Sequence, residues 1–144
     1  MKKLLILLLL PLFSFSQTFD ELMTINSEDT FKKVVIENDY VFYSEKDDAI
    51  NYTFGLVGYK AQIWATYSKD TKRVSFRFKK EGVVGHKPQF KEITGNIKSK
   101  CQYVRIDGGT HPLDREATVY KCSESGKEIG FYTTDETGFV ILIL

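Results

Sequence analysis

From Tyr40 onward the chain is written in short runs where apolar and polar residues alternate, and no other feature restricts its fold so tightly. Four runs come first, over residues 40–45, 50–57, 62–68 and 73–79, and four follow later, over 102–106, 116–122, 128–133 and 139–144. They are rich in β-branched and aromatic residues and separated by polar or glycine-containing turns, the pattern of strands joined by hairpins. A period of two sends successive side chains to opposite faces, so each run predicts a strand with one face on a core. In the second set Asp107-Gly108-Gly109, Ser125-Gly126 and Thr137-Gly138 mark the turns. Residues 81–89, with Gly82, Gly85 and Pro88, break the alternation.

Ahead of each set the period becomes helical. Thr18 with Glu21 three residues on reads as a capping box, and Ser27 caps a second helix whose first turn holds Glu28 and Asp29. Phe31, Val34 and Val35 then share one face, Lys32 and Lys33 face outward, and Asn38 closes the helix. Phe90, Ile93 and Ile97 repeat that spacing, with Gly95 between them. These elements predict an α+β fold of two layers, an antiparallel sheet with helices packed on one face. Helix followed by four strands is expected twice, Phe31-Lys32-Lys33 opening one unit and Phe90-Lys91-Glu92 the other, as pseudo-repeats over 17–80 and 86–144. In this arrangement, rather than in any motif, the chain resembles exported domains of the β-lactamase-inhibitor-protein type, built from helix-plus-antiparallel-sheet units in tandem. The resemblance covers most of residues 17–144 and carries no site residue over.

The first sixteen residues are expected to take no part in that fold. Lys2 and Lys3 precede an apolar run from Leu4 to Leu10, then Pro11 and small residues, which is the layout of a secretory signal. The run is shorter than the roughly 20 apolar residues that a membrane-spanning helix needs. Ser14 and Ser16 occupy the small positions of a cleavage site, so scission after Ser16 is expected, leaving Gln17 as an N-terminus able to cyclise to pyroglutamate. The first cysteine is Cys101, so none stands at the cleavage site to take a lipid. The mature chain, a single domain over 17–144, is expected to be exported and soluble, periplasmic or extracellular, with no stable membrane anchor.

Export implies an oxidising compartment, where the two cysteines, Cys101 and Cys122, are expected to pair. Cys101 begins one predicted strand and Cys122 ends the next, so antiparallel pairing sets them opposite each other and Tyr103 opposite Tyr120. Two buried thiols are the alternative; a redox dithiol lacks its C-x-x-C spacing.

Without the leader the charged residues number 18 basic and 19 acidic, a net −1, split evenly between the two halves. Nothing there recommends nucleic acid, and any binding surface must be local. The sharpest local feature is the hairpin over 62–79. If Ser68 pairs with Arg73 across Lys69-Asp70-Thr71-Lys72, then Ile63, Ala65, Tyr67, Val74, Phe76 and Phe78 share the core face. The other face carries Gln62, Trp64, Thr66, Ser75, Arg77 and Lys79, with Trp64 directly across from Arg77. Trp and Arg are enriched at binding hot spots, and a guanidinium over an indole is a cation–π pair. These six residues are the candidate contact surface; the plainer alternative is an Arg stem covering a half-buried indole. The basic run Lys72, Arg73, Arg77, Lys79 and Lys80 suits an acidic partner or a solvated strand face equally well.

Other chemistry has weaker support. His86 and His111 stand beside prolines in predicted loops, and with the cysteines they lack the ligand spacing of a zinc site. His111 and Asp114 have no accompanying nucleophile motif. Asp47-Asp48 alternate sides in a turn, and neither an EF-hand loop nor a glycine-rich phosphate cradle is present. No cofactor, metal or catalytic residue is expected. The apolar end, residues 139–144, reads as a strand buried on both faces, or as one that completes a neighbouring sheet. The function expected is therefore an exported, non-enzymatic binding protein, an inhibitor or accessory subunit with a protein partner. A small hydrolase or ligand-binding protein using a pocket between helices and sheet is the first alternative, and a structural envelope component the second.

Overall fold

Both predicted helix caps form. Thr18 Oγ1 accepts the Glu21 N–H at 3.2 Å while the Glu21 carboxylate accepts the Thr18 N–H at 2.6 Å, which starts α1 (Phe19–Thr24). Ser27 and Thr30 exchange the same pair of bonds at the start of α2 (Glu28–Glu37). Asn38 closes α2 by donating its side-chain amide to Val34 O at 2.9 Å. Asp39, at φ 60°, then turns the chain so that the Tyr40 N–H reaches Val35 O and the Asp39 N–H reaches Ile36 O. This pair of bonds satisfies carbonyls that a helix end otherwise leaves open.

The computed structural model describes residues 17–55, 63–79, 86–108 and 116–144. After α2 come β1 (Val41–Lys46), β2 (Ala49–Phe54), β3 (Ile63–Ser68) and β4 (Arg73–Lys79), then α3 (His86–Lys100), then β5 (Cys101–Asp107), β6 (Ala117–Cys122), β7 (Glu128–Thr133) and β8 (Thr137–Ile143). All eight strands join one sheet in the order β1-β2-β3-β4-β8-β7-β6-β5, and every neighbouring pair is antiparallel. Each set of four is a meander, and the two meet in the sheet where β4 pairs with β8. Helices precede both sets, two before β1 and one before β5.

Two expectations are corrected. His86 opens α3 instead of lying in a loop, and Pro88 falls in the first turn, where backbone N–H groups have no helical partner and a proline costs little. Thr137-Gly138 is not the last turn; Asp135 and Glu136 make it, closed by hydrogen bonds between Thr134 and Thr137. Gly138 belongs to β8 and lies under the Phe90 ring of α3, where an added Cβ would come within 2.8 Å of the ring carbons.

The helices share one face of the sheet. Phe19, Leu22 and Ile25, Phe31, Val34 and Val35, and Ile93 and Ile97 pack against the inward residues of the strands in a single apolar cluster. Phe31 is its centre, with its ring centroid 5.8 Å from Tyr52, 5.6 Å from Tyr67 and 6.4 Å from Phe76. Ile63, Ala65, Tyr67, Val74, Phe76 and Phe78 are all buried there, as the alternation predicts. Residues 139–144 take the buried reading, since β8 is a central strand.

Polar contacts tie α1 to the second meander. Lys127, in the turn before β7, donates to the Met23 and Ile25 carbonyls at the end of α1, and partial burial lowers its pKa. Lys100 reaches Asp20 at 3.0 Å and lies 5.1 Å from the Phe19 ring centroid. Cys101 and Cys122 face each other and form the disulfide, with Tyr103 opposite Tyr120.

Two stability predictions follow from this packing. Cys101→Ser with Cys122→Ser, or full reduction, should lower unfolding free energy by about 3 kcal/mol, because the bond closes a loop of some 20 residues; chemical denaturation of both forms measures it. Gly138→Ala should cost about 1–3 kcal/mol by crowding Phe90, and Phe90→Leu in the same chain should recover part of that loss.

Candidate functional site

On the face away from the helices, three adjacent strands place a row of polar atoms that find no partner among the described residues. Thr53 of β2 is directly opposite Trp64 of β3, which is directly opposite Arg77 of β4. Thr53 Oγ1, Trp64 Nε1 and Arg77 Nε are all buried and without a hydrogen bond among the described residues. Buried polar atoms are nearly always paired in native structures, so three orphans in register across three strands call for a physical reason. Alternation accounts for their common direction: each lies between two residues that point into the core, such as Ile63 and Ala65 around Trp64.

Aromatic rings frame the row. The Arg77 guanidinium lies 5.5 Å from the Trp64 ring centroid, the expected cation–π pair. The Tyr43 ring meets the indole edge-on, with centroids 4.9 Å apart at 73°. Tyr43 reaches that face because the β1 register shifts between Phe42 and Ser44, leaving Tyr43 as an extra residue on the edge strand, a bulge that re-aims the side chain. On the far side of Arg77, β8 brings Phe139 opposite it, and β7 brings Tyr132 opposite Phe139. Those two rings stack at 4.5 Å and 10°. Ala117, Tyr132, Phe139 and Ile141 form a second, smaller buried apolar cluster on this face.

The next row is polar and satisfied on one side. Thr66 donates to Asn51 Oδ1 at 2.8 Å, and Asn51 Nδ2 donates to Ser44 Oγ at 3.3 Å. Ser75 stands between Thr66 and Ile141, and Lys79 pairs with Thr137 at the end of the ladder. The structure thus groups Trp64, Thr66, Ser75, Arg77 and Lys79 on one face, while Gln62 lies outside the described residues. Tyr43, Thr53, Phe139 and Tyr132 are members that sequence reasoning missed. Thr53 was within reach of strand alternation; Tyr43 depends on a bulge and the other two on β8 lying beside β4.

Charge is uneven across the face. Arg105 of β5 is paired with Glu128 at 2.8 Å and with Asp107 at 3.6 Å. Arg77 makes no ion pair among the described residues. The Arg77 side chain is partly exposed and its guanidinium is a donor only, which suits this part of the face to acceptor oxygens such as carboxylates.

Elsewhere, a cleft of about 260 Å³ opens at the disulfide end, lined by Phe19, Asp20, Met23, Lys100, Cys122, Glu124 and Ser125. The His86 side chain and the whole of His111 lie outside the described parts of the structure. Among the described residues no cluster of three or more His, Cys, Asp or Glu side chains is placed to hold a metal ion.

The Arg105 guanidinium, hydrogen bonded to Glu128, holds that carboxyl below its ordinary pKa. A carboxylate depressed in the folded state contributes stability that is complete above its unfolded pKa and is lost as pH falls through the folded value. Carboxyl NMR should find Glu128 titrating below a free glutamate, and Arg105→Ala should return it to the ordinary range.

Compared with protein-family models, with curated proteins and with solved structures, the chain matches none of them.

Proposed function

We propose that this chain is an exported, non-enzymatic binding protein, an inhibitor or accessory subunit, that engages a protein partner through the sheet face opposite the helices. The observation that carries this reading is the partly exposed Trp64–Arg77 cation–π pair, braced by Tyr43 and without an ion pair among the described residues. A guanidinium with no carboxylate beside it is left with donors that a partner's acceptor oxygens can take. The surroundings suit such a contact, since Trp, Tyr and Arg are frequent at binding hot spots and strands β1, β3 and β4 of one antiparallel sheet hold Tyr43, Trp64 and Arg77. The disulfide and the leader residues 1–16 support an oxidising, exported setting. The likeness to exported domains of the β-lactamase-inhibitor-protein type enters as arrangement only, and fold analogy by itself carries no function.

A second reading, a small-ligand protein using a pocket between helices and sheet, has the cleft beside Cys122 in its favour. Its Asp20 and Lys100 already pair with each other across the cleft, which leaves less of the lining polarity for a ligand.

The deciding experiment immobilises the chain from Gln17 and measures saturable binding of proteins from envelope and culture extracts, followed by hydrogen exchange on the purified complex. Trp64→Ala and Arg77→Ala should each weaken binding by about 2 kcal/mol, roughly thirtyfold, and protection should map to β3, β4 and β8. Affinity untouched by both substitutions, or protection confined to the disulfide end, would sink this proposal.

A further inference from the structure

Gln17, just ahead of α1, is a buried glutamine whose side chain finds no hydrogen-bond partner among the described residues. Gln17 is 1% exposed, and neither Oε1 nor Nε2 of its side chain has a partner. Its carbonyl accepts a buried hydrogen bond from Gln89 Nε2 of α3 at 3.1 Å, so the residue is held between the start of α1 and α3. Gln89 Oε1, beside it, is orphaned as well. Scission after Ser16 would add a free ammonium to this same residue. A buried site with unpaired polar atoms disfavours both the primary amide and, more strongly, an unpaired charge.

We propose that Gln17 becomes the N-terminus of the exported chain and closes on itself as pyroglutamate. The α-nitrogen attacks Cδ of its own side chain, an N–Cδ bond forms, and the Cδ–Nε2 bond breaks. Nε2 leaves as ammonia, taking a proton from the attacking amine, and no oxidant or co-reactant is consumed. A lactam with one N–H and one carbonyl replaces the ammonium and the amide NH2, so charge and most of the unsatisfied donors disappear from the pocket. Because Gln17 is buried once the chain is folded, closure comes first, on the newly cut and still unfolded chain. Folding then seals the ring between α1 and α3, where aminopeptidases do not reach it. This inference rests on the export reading and is independent of the binding face.

Mass spectrometry of the N-terminal tryptic peptide, from protein recovered from the cells that export it, tests the claim. A synthetic open peptide carried through the same digest controls for closure during handling. The peptide over residues 17–32 should be lighter than its open sequence by one ammonia. An open Gln17 at full mass overturns the closure while leaving the cleavage in place, and a different first residue overturns both. Thermal unfolding gives an independent check: the closed chain should melt about 3 °C or more above one whose open Gln17 has been freshly exposed by a specific protease. Equal midpoints would remove burial as the reason for closure.

Discussion

Seven residue pairs, from Arg73 with Ile143 to Lys79 with Thr137, join β4 to β8, and this ladder is where the first meander meets the second in the sheet. The two strands lie almost sixty residues apart in sequence, so the ladder forms only after a long loop has been closed. Its demands explain the composition of the chain end. A strand with neighbours on both sides and apolar groups on both faces must be nearly continuous in hydrophobic residues. Val140 and Leu142 complete the core under the helices, while Phe139 and Ile141 build the smaller cluster on the other face. Without β8 in this place the core would lose its middle and Arg77 its neighbour Phe139.

The two faces that this ladder joins are treated differently. Under the helices aromatic and aliphatic side chains fill the space, and Phe31 alone touches rings from three strands. On the other face apolar patches alternate with polar side chains, among them the Trp64–Arg77 pair and the Thr66–Asn51–Ser44 chain. Apolar packing is non-directional and tolerant, whereas a buried donor is stabilised only by an acceptor in the right place.

Both sheet edges carry the same device. The β1 register shifts around Tyr43 and the β5 register around Val104, and exposed apolar residues cluster there, Val41 and Phe42 on one edge and Tyr103 and Ile106 on the other. A bulge interrupts the row of backbone groups that would otherwise template pairing with another chain. On β1 it has a second consequence, since the extra residue is Tyr43, whose ring braces Trp64.

Much of this was legible from residue order, because the signals are local. Thr18 with Glu21 and Ser27 ahead of an apolar helical face act within one turn, and the alternation in residues 73–79 depends only on the pleat. Hairpin register also followed from short-range geometry: Trp64 does face Arg77 and Cys101 does face Cys122. The two signals that misled, Pro88 and Thr137-Gly138, were overridden by context, a helix start that tolerates proline and a strand that needs a glycine beneath Phe90. Sequence by itself thus determined the elements, their faces and the hairpins, all set by spacing over a few residues. Tertiary structure alone decided that β4 pairs with β8, that a bulge sends Tyr43 to the indole, and that Thr53, Trp64 and Arg77 share a row of unpaired atoms, because these depend on strands distant in the chain and on where the ladder slips by one residue.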